Sequence, residues 1–278
     1  MNELLDLVQN PTERRLLLTN AQPTFCAFSI AMLAKRQRAL DDDTVPFFIA
    51  AVRESTDREL ITECVRLVLS RQPDLVLIDD IAAMLSTDTW VDELLYLMRC
   101  LEHRHAFLKA TSPEFHVYAI SRFVEAGGIL DRNDAIGFAA AIRACGNSSL
   151  ASGTLKSVLA KQPHLALVAD ISAILTPNIW TDELLELMGS PEEMRHFLIH
   201  TQPAFRAYAT SKYLRAGGQL GVSDVPSFLT TVCECGEANL ASECMTALLA
   251  RHLKSPSPPV SHLCSRRTCG WMNSWDSW

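Results

Sequence analysis

The stretches "WVDELLYLM" (residues 90–98) and "WTDELLELM" (residues 180–188) lie ninety positions apart and differ at two of their nine residues. Such a pair is either a chemical signature used twice or a structural part made more than once. Sliding the whole sequence by ninety, with no gap, aligns Pro23, Pro113 and Pro203; Phe25, Phe115 and Phe205; and Phe28, Tyr118 and Tyr208. The same shift aligns Leu40, Leu130 and Leu220; Phe48, Phe138 and Phe228; and Leu60, Leu150 and Leu240. Residues 91–163 and 181–253 are identical at 28 of 73 positions, beyond what shared helical composition gives, so the pair belongs to an internal repeat. The copies are 1–90, 91–180 and 181–253, the first more diverged and the third incomplete.

Within a copy the punctuation is that of short helices. "TWVDELLYLM" offers polar capping residues, places Asp92 and Glu93 in its first turn and sets Leu94, Leu95, Leu97 and Met98 toward a core. "EHRHAFLKA" reads as a second helix. "SPEFHVYAISRFVEAGG" is the clearest: Pro113 suits a first turn, Phe115, Tyr118, Ala119 and Phe123 share one face, and Gly127-Gly128 supplies a left-handed stop. The first copy has Gln37-Arg38 in place of those glycines, so its helix ends differently. Thr44, Asp134 and Asp224 read as N-caps, and Gly146 and Gly236 end the helices that follow. Pro73 and Pro163 then open "DLVLIDDIAAML" and "HLALVADISAIL" as joints between helices, since the residue before proline is driven out of the α region. Strand alternation and hairpin dipeptides are absent from the sequence.

The expected fold is therefore all-α: three copies of a ninety-residue unit, each of about five to six short helices. A finer echo between "LLLTNAQPTFCAFSIAML" and "LVLSRQPDLVLIDDIAAML" divides each copy into half-units of about forty-five residues. That pattern resembles a right-handed α-solenoid of HEAT or armadillo type, and the "ELL…R.FL…P.F" spacing resembles helical arms of large bacterial multidomain proteins. The resemblance covers residues 1–253 and implies an architecture and a scaffold role, with no residue carried over.

The net charge of -7, without a Lys/Arg-rich run, gives no electrostatic footprint for nucleic acid or an anionic membrane. The acidic "MNELLDLVQNPTERR" lacks the basic opening of a secretory signal, and no apolar run reaches the roughly eighteen residues of a membrane helix. A cytoplasmic protein is expected, with its nine cysteines reduced; Cys26, Cys64 and Cys100 fall inside helical patterns as small hydrophobes.

Helical periodicity ends near Leu253, and 254–278 reads as an irregular Pro/Ser/Cys/Trp tail, because the prolines of "KSPSPPVS" cannot hold a helix. His262, Cys264 and Cys269 give three of the four ligands a zinc knuckle needs, so no metal is assigned there. His196 and His200 stand at i,i+4 but lack the glutamate of H-E-x-x-H, and Cys233 and Cys235 have only Cys145 as a counterpart in the second copy. No phosphate loop, nucleophile elbow or dinucleotide fingerprint is present, so no catalytic residue and no cofactor is expected.

The column Arg15, His105 and Arg195 is the candidate for partner binding, because a ladder of cations along a repeated face suits an acidic peptide; the plainer account makes each a solvated residue beside Glu13 or Glu193. The expected function is a non-enzymatic scaffold or adaptor for a protein or peptide, or the repeat arm of a larger protein. The alternative is a ligand-binding or enzymatic helical domain with a pocket between repeats. Self-association through the uncapped third copy is a further expectation.

Overall fold

Proline opens many of the helices. Pro11, Pro23, Pro113, Pro191 and Pro203 each occupy the first residue of one, where the missing N–H is a donor that would lack an intrahelical acceptor anyway. The computed structural model describes residues 11–36 and 40–252. Gln37, Arg38 and the tail with His262, Cys264 and Cys269 lie outside the described residues. Among the described residues every regular element is helical and no strand occurs.

The chain divides into two units, Met1–Thr154 and Leu155–Trp278. The first holds α1 (Pro11–Asn20), α2 (Pro23–Lys35), α3 (Val45–Glu54), α4 (Arg58–Leu69), α5 (Asp79–Ala82), α6 (Leu94–Arg99), α7 (Leu101–Ala110), α8 (Pro113–Glu125) and α9 (Arg132–Ala144). The helix α10 (Ser148–Lys161) runs across the division. The second holds α11 (Ala169–Ser172), α12 (Pro191–Leu198), α13 (Pro203–Arg215), α14 (Asp224–Glu234) and α15 (Ala238–His252). In the first unit α2 packs on α3 and α4, and α8 on α9; in the second α13 packs on α14 and α15.

The helices α2, α8 and α13 begin at residues 23, 113 and 203 and each runs for 13 residues. α8 ends as its glycines require: Gly127 has φ +84, and a Cβ on Gly128 would lie 2.5 Å from the Phe123 ring. Gly217, at φ +104, ends α13 in the same way. Several expectations change. The segments opened by Pro73 and Pro163 are 3₁₀ turns (Pro73–Leu77 and Pro163–Leu167), each followed by an extended residue and one four-residue helix. Asp134 is not the N-cap of α9: Asp131 is, and Asp134 sits at the third position of a reciprocal capping box; Asp224 likewise is the first residue of α14, with Ser223 at the N-cap position. Cys100 lies exposed between α6 and α7 rather than within a helix.

The quoted stretches form matching aromatic clusters. Trp90 sits 6.1 Å from Phe115 and 5.8 Å from Tyr118, with Phe107 edge-on to Phe115 at 5.8 Å. Trp180 sits 6.1 Å from Phe205 and 5.9 Å from Tyr208, with Phe197 edge-on to Phe205 at 6.0 Å. Each indole N–H donates to the acid two residues on, Trp90 to Asp92 at 3.1 Å and Trp180 to Asp182 at 3.2 Å. Burying an indole requires such an acceptor. Asp92 therefore precedes α6, which starts at Leu94, and serves the tryptophan rather than a first helical turn.

Gly153 lies exposed inside α10, at ordinary helical φ, and a Cβ there would meet nothing within 4 Å. Gly153→Ala is expected to stabilise the protein by about 0.5–1 kcal/mol, since glycine loses the most backbone freedom in a helix interior. A higher urea midpoint at unchanged slope is the measurement, and an unchanged midpoint contradicts it.

Candidate functional site

The cation column is best followed helix by helix. α7 begins after Cys100 and turns Arg104 inward, where it is buried. Its Nε donates to Asp134 Oδ1 at 2.9 Å, its Nη2 donates to Asp134 Oδ2, and its Nη1 donates to the Met98 carbonyl at 2.8 Å. The guanidinium also lies over the Phe123 ring, 4.9 Å from its centre. Asp134 is buried at the start of α9 and takes a further bond from the Asp131 N–H at 2.9 Å, while Asp131 Oδ1 accepts the Asp134 N–H at 2.8 Å. One fork-on-fork ion pair thus ties α6, α7, α8 and α9 together.

His105, the neighbour of Arg104, points its Nε2 to 3.0 Å from Asp134 Oδ1 and 3.9 Å from Asp131 Oδ1. The first distance is that of an ion pair, but the ring is not aligned for a hydrogen bond and the atom has no hydrogen-bond partner. Asp134's other contacts explain this, because its oxygens already receive the guanidinium and a backbone N–H. The donor atoms of His105, Asp131 and Asp134 lie within 4.8 Å of one another, a spacing compatible with a metal ion. The chemistry argues otherwise: a cation there would have to displace Arg104 from both oxygens of Asp134 and leave a buried guanidinium unpaired.

In the second unit the same job passes to the next residue. Arg195 Nε donates to Asp224 Oδ1 at 3.0 Å and its Nη2 donates to Oδ2 at 3.3 Å, while the place of Arg104 is filled by the buried Met194. These bonds hold the Arg195 pKa above its ordinary value. In the first copy Arg14 pairs with Asp41, whose pKa is lowered by the Thr44 hydroxyl first and by Arg14 as well. Two of the three column members therefore face the chain's own carboxylates, and Arg15 is exposed on α1. Arg104, Asp131 and the pairing role of Asp134 are not legible in the sequence, because the acid changes place between the Arg14 and Arg104 pairs and the cation between the Arg104 and Arg195 pairs.

His116, on α8, was not singled out by its sequence. It occupies the place of Cys26 and Arg206. Its ring is bonded to the Leu108 carbonyl, Asp134 faces it electrostatically, and its buried Nε2 has no hydrogen-bond partner. On α9 it meets Gly137: a Cβ there would stand 3.6 Å from His116 Cε1. In the first copy the Cys26 thiol lies 3.9 Å from the Phe47 backbone carbonyl. Burial pulls the His116 pKa down to about 4.

The unfolded imidazole takes a proton below about 6.5, the folded one only below about 4, so between these values the unfolded state binds more protons. Stability is therefore expected to fall by about 3 kcal/mol as the pH drops through that window. His116→Gln is expected to flatten that slope in urea titrations at pH 4 to 7, and an equally steep slope in the variant contradicts the assignment.

The remaining candidates do not assemble. His196 lies on α12, but the helix ends at Leu198 and both His196 and His200 are exposed. Cys233 is exposed, and the Cys235 thiol points to the Val232 carbonyl at 3.0 Å. Burial pushes the thiols of Cys26, Cys64 and Cys244 up to about 11, which leaves them protonated and unreactive at neutral pH. Among the described residues no helix is long and apolar enough to cross a membrane. The chain matches no protein-family model, no curated protein and no solved structure.

Proposed function

We propose that the chain is a non-enzymatic helical-repeat scaffold, intracellular in setting, whose surface binds a protein or peptide partner. The reading extends to a solenoid in which the ninety-residue units stack. The observation that supports it is the double occurrence of one aromatic cluster, around Trp90 and around Trp180, while Arg104, Asp134 and the Asp131 N–H are engaged with one another. Side chains so engaged position helices. Arg15 and Arg195 are both exposed, and since Arg195 already faces Asp224, Arg15 is the member of the cation column offered to an acidic partner.

A peptide array presented to the whole protein tests the proposal. Saturable binding of acidic peptides, weakened by Arg15→Glu, is the expected result. Turnover of a substrate, abolished by alanine changes within a single cluster, would overturn it in favour of an enzyme.

A further inference from the structure

Phe25, Phe115 and Phe205 occupy the same place in their copies, yet Phe115 and Phe205 are 0% exposed and Phe25 is 42% exposed. The difference follows from what lies on the ring. Phe115 is covered by the Trp90 indole and Phe205 by the Trp180 indole. Phe25 stands on α2, whose other side, with Cys26, Ile30, Leu33 and Ala34, is buried against α3 and α4. The spacing of Phe25, Phe28, Met32 and Lys35 puts them along one face of the helix. Phe28 and Met32 are half-buried and Lys35 is exposed.

The chain itself records what chemistry covers such a stripe. In the first unit it is a segment opening with Trp90, whose Asp92 accepts from the indole at 3.1 Å and from Arg122 Nη2 on α8 at 3.4 Å. In the second it is a segment opening with Trp180 and carrying Asp182, Glu183 and Glu186. On α2 the place of Arg122 is taken by Met32, and the nearest cation along the stripe is Lys35, one turn further on. An aromatic platform that ends in an exposed cation is complementary to an aromatic residue followed by acids.

We propose that the α2 stripe of Phe25, Phe28, Met32 and Lys35 is a docking site for an acidic, tryptophan-bearing segment of another protein. The inference rests on the scaffold reading and names the chemistry of the partner. The indole lies on Phe25 and Phe28, as Trp90 does on Phe115 and Tyr118, and the acids that follow it meet Lys35.

The probe is a fluorescein-labelled peptide of sequence WTDELLELM, titrated with the full chain and read by fluorescence anisotropy. Saturable binding is expected, weakened about tenfold or more by Trp→Ala in the peptide and by Phe25→Ala in the protein, because a buried aromatic anchor dominates such an interface. Lys35→Glu is expected to weaken binding and to reduce its dependence on salt. Phe25→Leu keeps apolar bulk without the ring and separates loss of stacking from loss of fold, with the thermal transition as the control. Absence of saturable binding, or binding indifferent to Phe25→Ala, overturns the proposal, and the second outcome leaves the scaffold reading standing. A concentration-dependent rise in the mass of the peptide-free protein, abolished by Phe25→Ala, overturns it in favour of a second copy of this chain.

Discussion

Asp134→Ala is expected to destabilise the protein by about 3–5 kcal/mol, the range for removing one partner of a buried ion pair. The size of the effect comes from what is left behind. Arg104 stays buried with its Nε and Nη2 facing no acceptor, and only the Met98 carbonyl still receives a bond from it. The Asp131 N–H at the start of α9 loses its acceptor at the same time, which removes half of a capping box. Replacing both charges is expected to be milder than the sum of the single changes, because no orphaned charge remains. A sharper check uses the second unit as a template. Arg104→Met with His105→Arg copies the Met194–Arg195 arrangement, so the arginine moved to 105 is placed to take Asp134 as Arg195 takes Asp224. Recovery of most of the stability lost in Arg104→Met alone is expected in urea unfolding; no recovery would show that the two arrangements are not interchangeable.

Phe115→Ala is expected to lower stability by a similar amount, about 3–5 kcal/mol, through the lost burial and the cavity left beneath two rings. Phe115 is wholly buried between Trp90 and Phe107, so neither neighbour can close the gap without leaving its own contacts. Phe25→Ala, at the same place in the first copy, is expected to change stability by about 1 kcal/mol or less, because that ring is already partly in water. Unfolding curves of the two variants measured side by side give the contrast, and equal losses would contradict it.

The helices were legible because their signals are local. Proline at 23, 113 and 203, an apolar stripe and paired glycines at 127–128 and 217–218 specify α2, α8 and α13 almost to the residue, apart from the end of α2. The 3₁₀ turns at Pro73 and Pro163 were not legible as such. Short apolar runs such as "LVLIDDIAAML" satisfy a helical pattern equally well, and the tertiary context decides between a continuous helix and a turn followed by a short one. Asp134 was seen as polar at a helix start, which is correct, but as a cap, which it is not; Asp131, three residues earlier, has the extended backbone that a cap requires.

The ion pairs were hidden for a different reason. Partners are 27, 30 and 29 residues apart, in Arg14–Asp41, Arg104–Asp134 and Arg195–Asp224. The cation keeps its column only from Arg14 to Arg104 and the acid only from Asp134 to Asp224, so no pair of columns shows the pairing in all three copies. His116 was invisible for a related reason, because what it needs is room: it stands against Gly137, where a Cβ would lie 3.6 Å from its Cε1. Only the packed helices bring the imidazole and the glycine together.

The tryptophan that donates to an acid two residues away has a consequence for how such a gene can grow. A ninety-residue block ends on its own indole and contains, near its twenty-fifth position, the phenylalanine on which the preceding block's indole rests. Any tandem copying of whole blocks therefore brings a plug already matched to the socket it meets, with no further mutation needed. Copying that breaks a block between these two points separates them and exposes both. Lineages of such a chain should accordingly lengthen or shorten in whole steps of ninety codons.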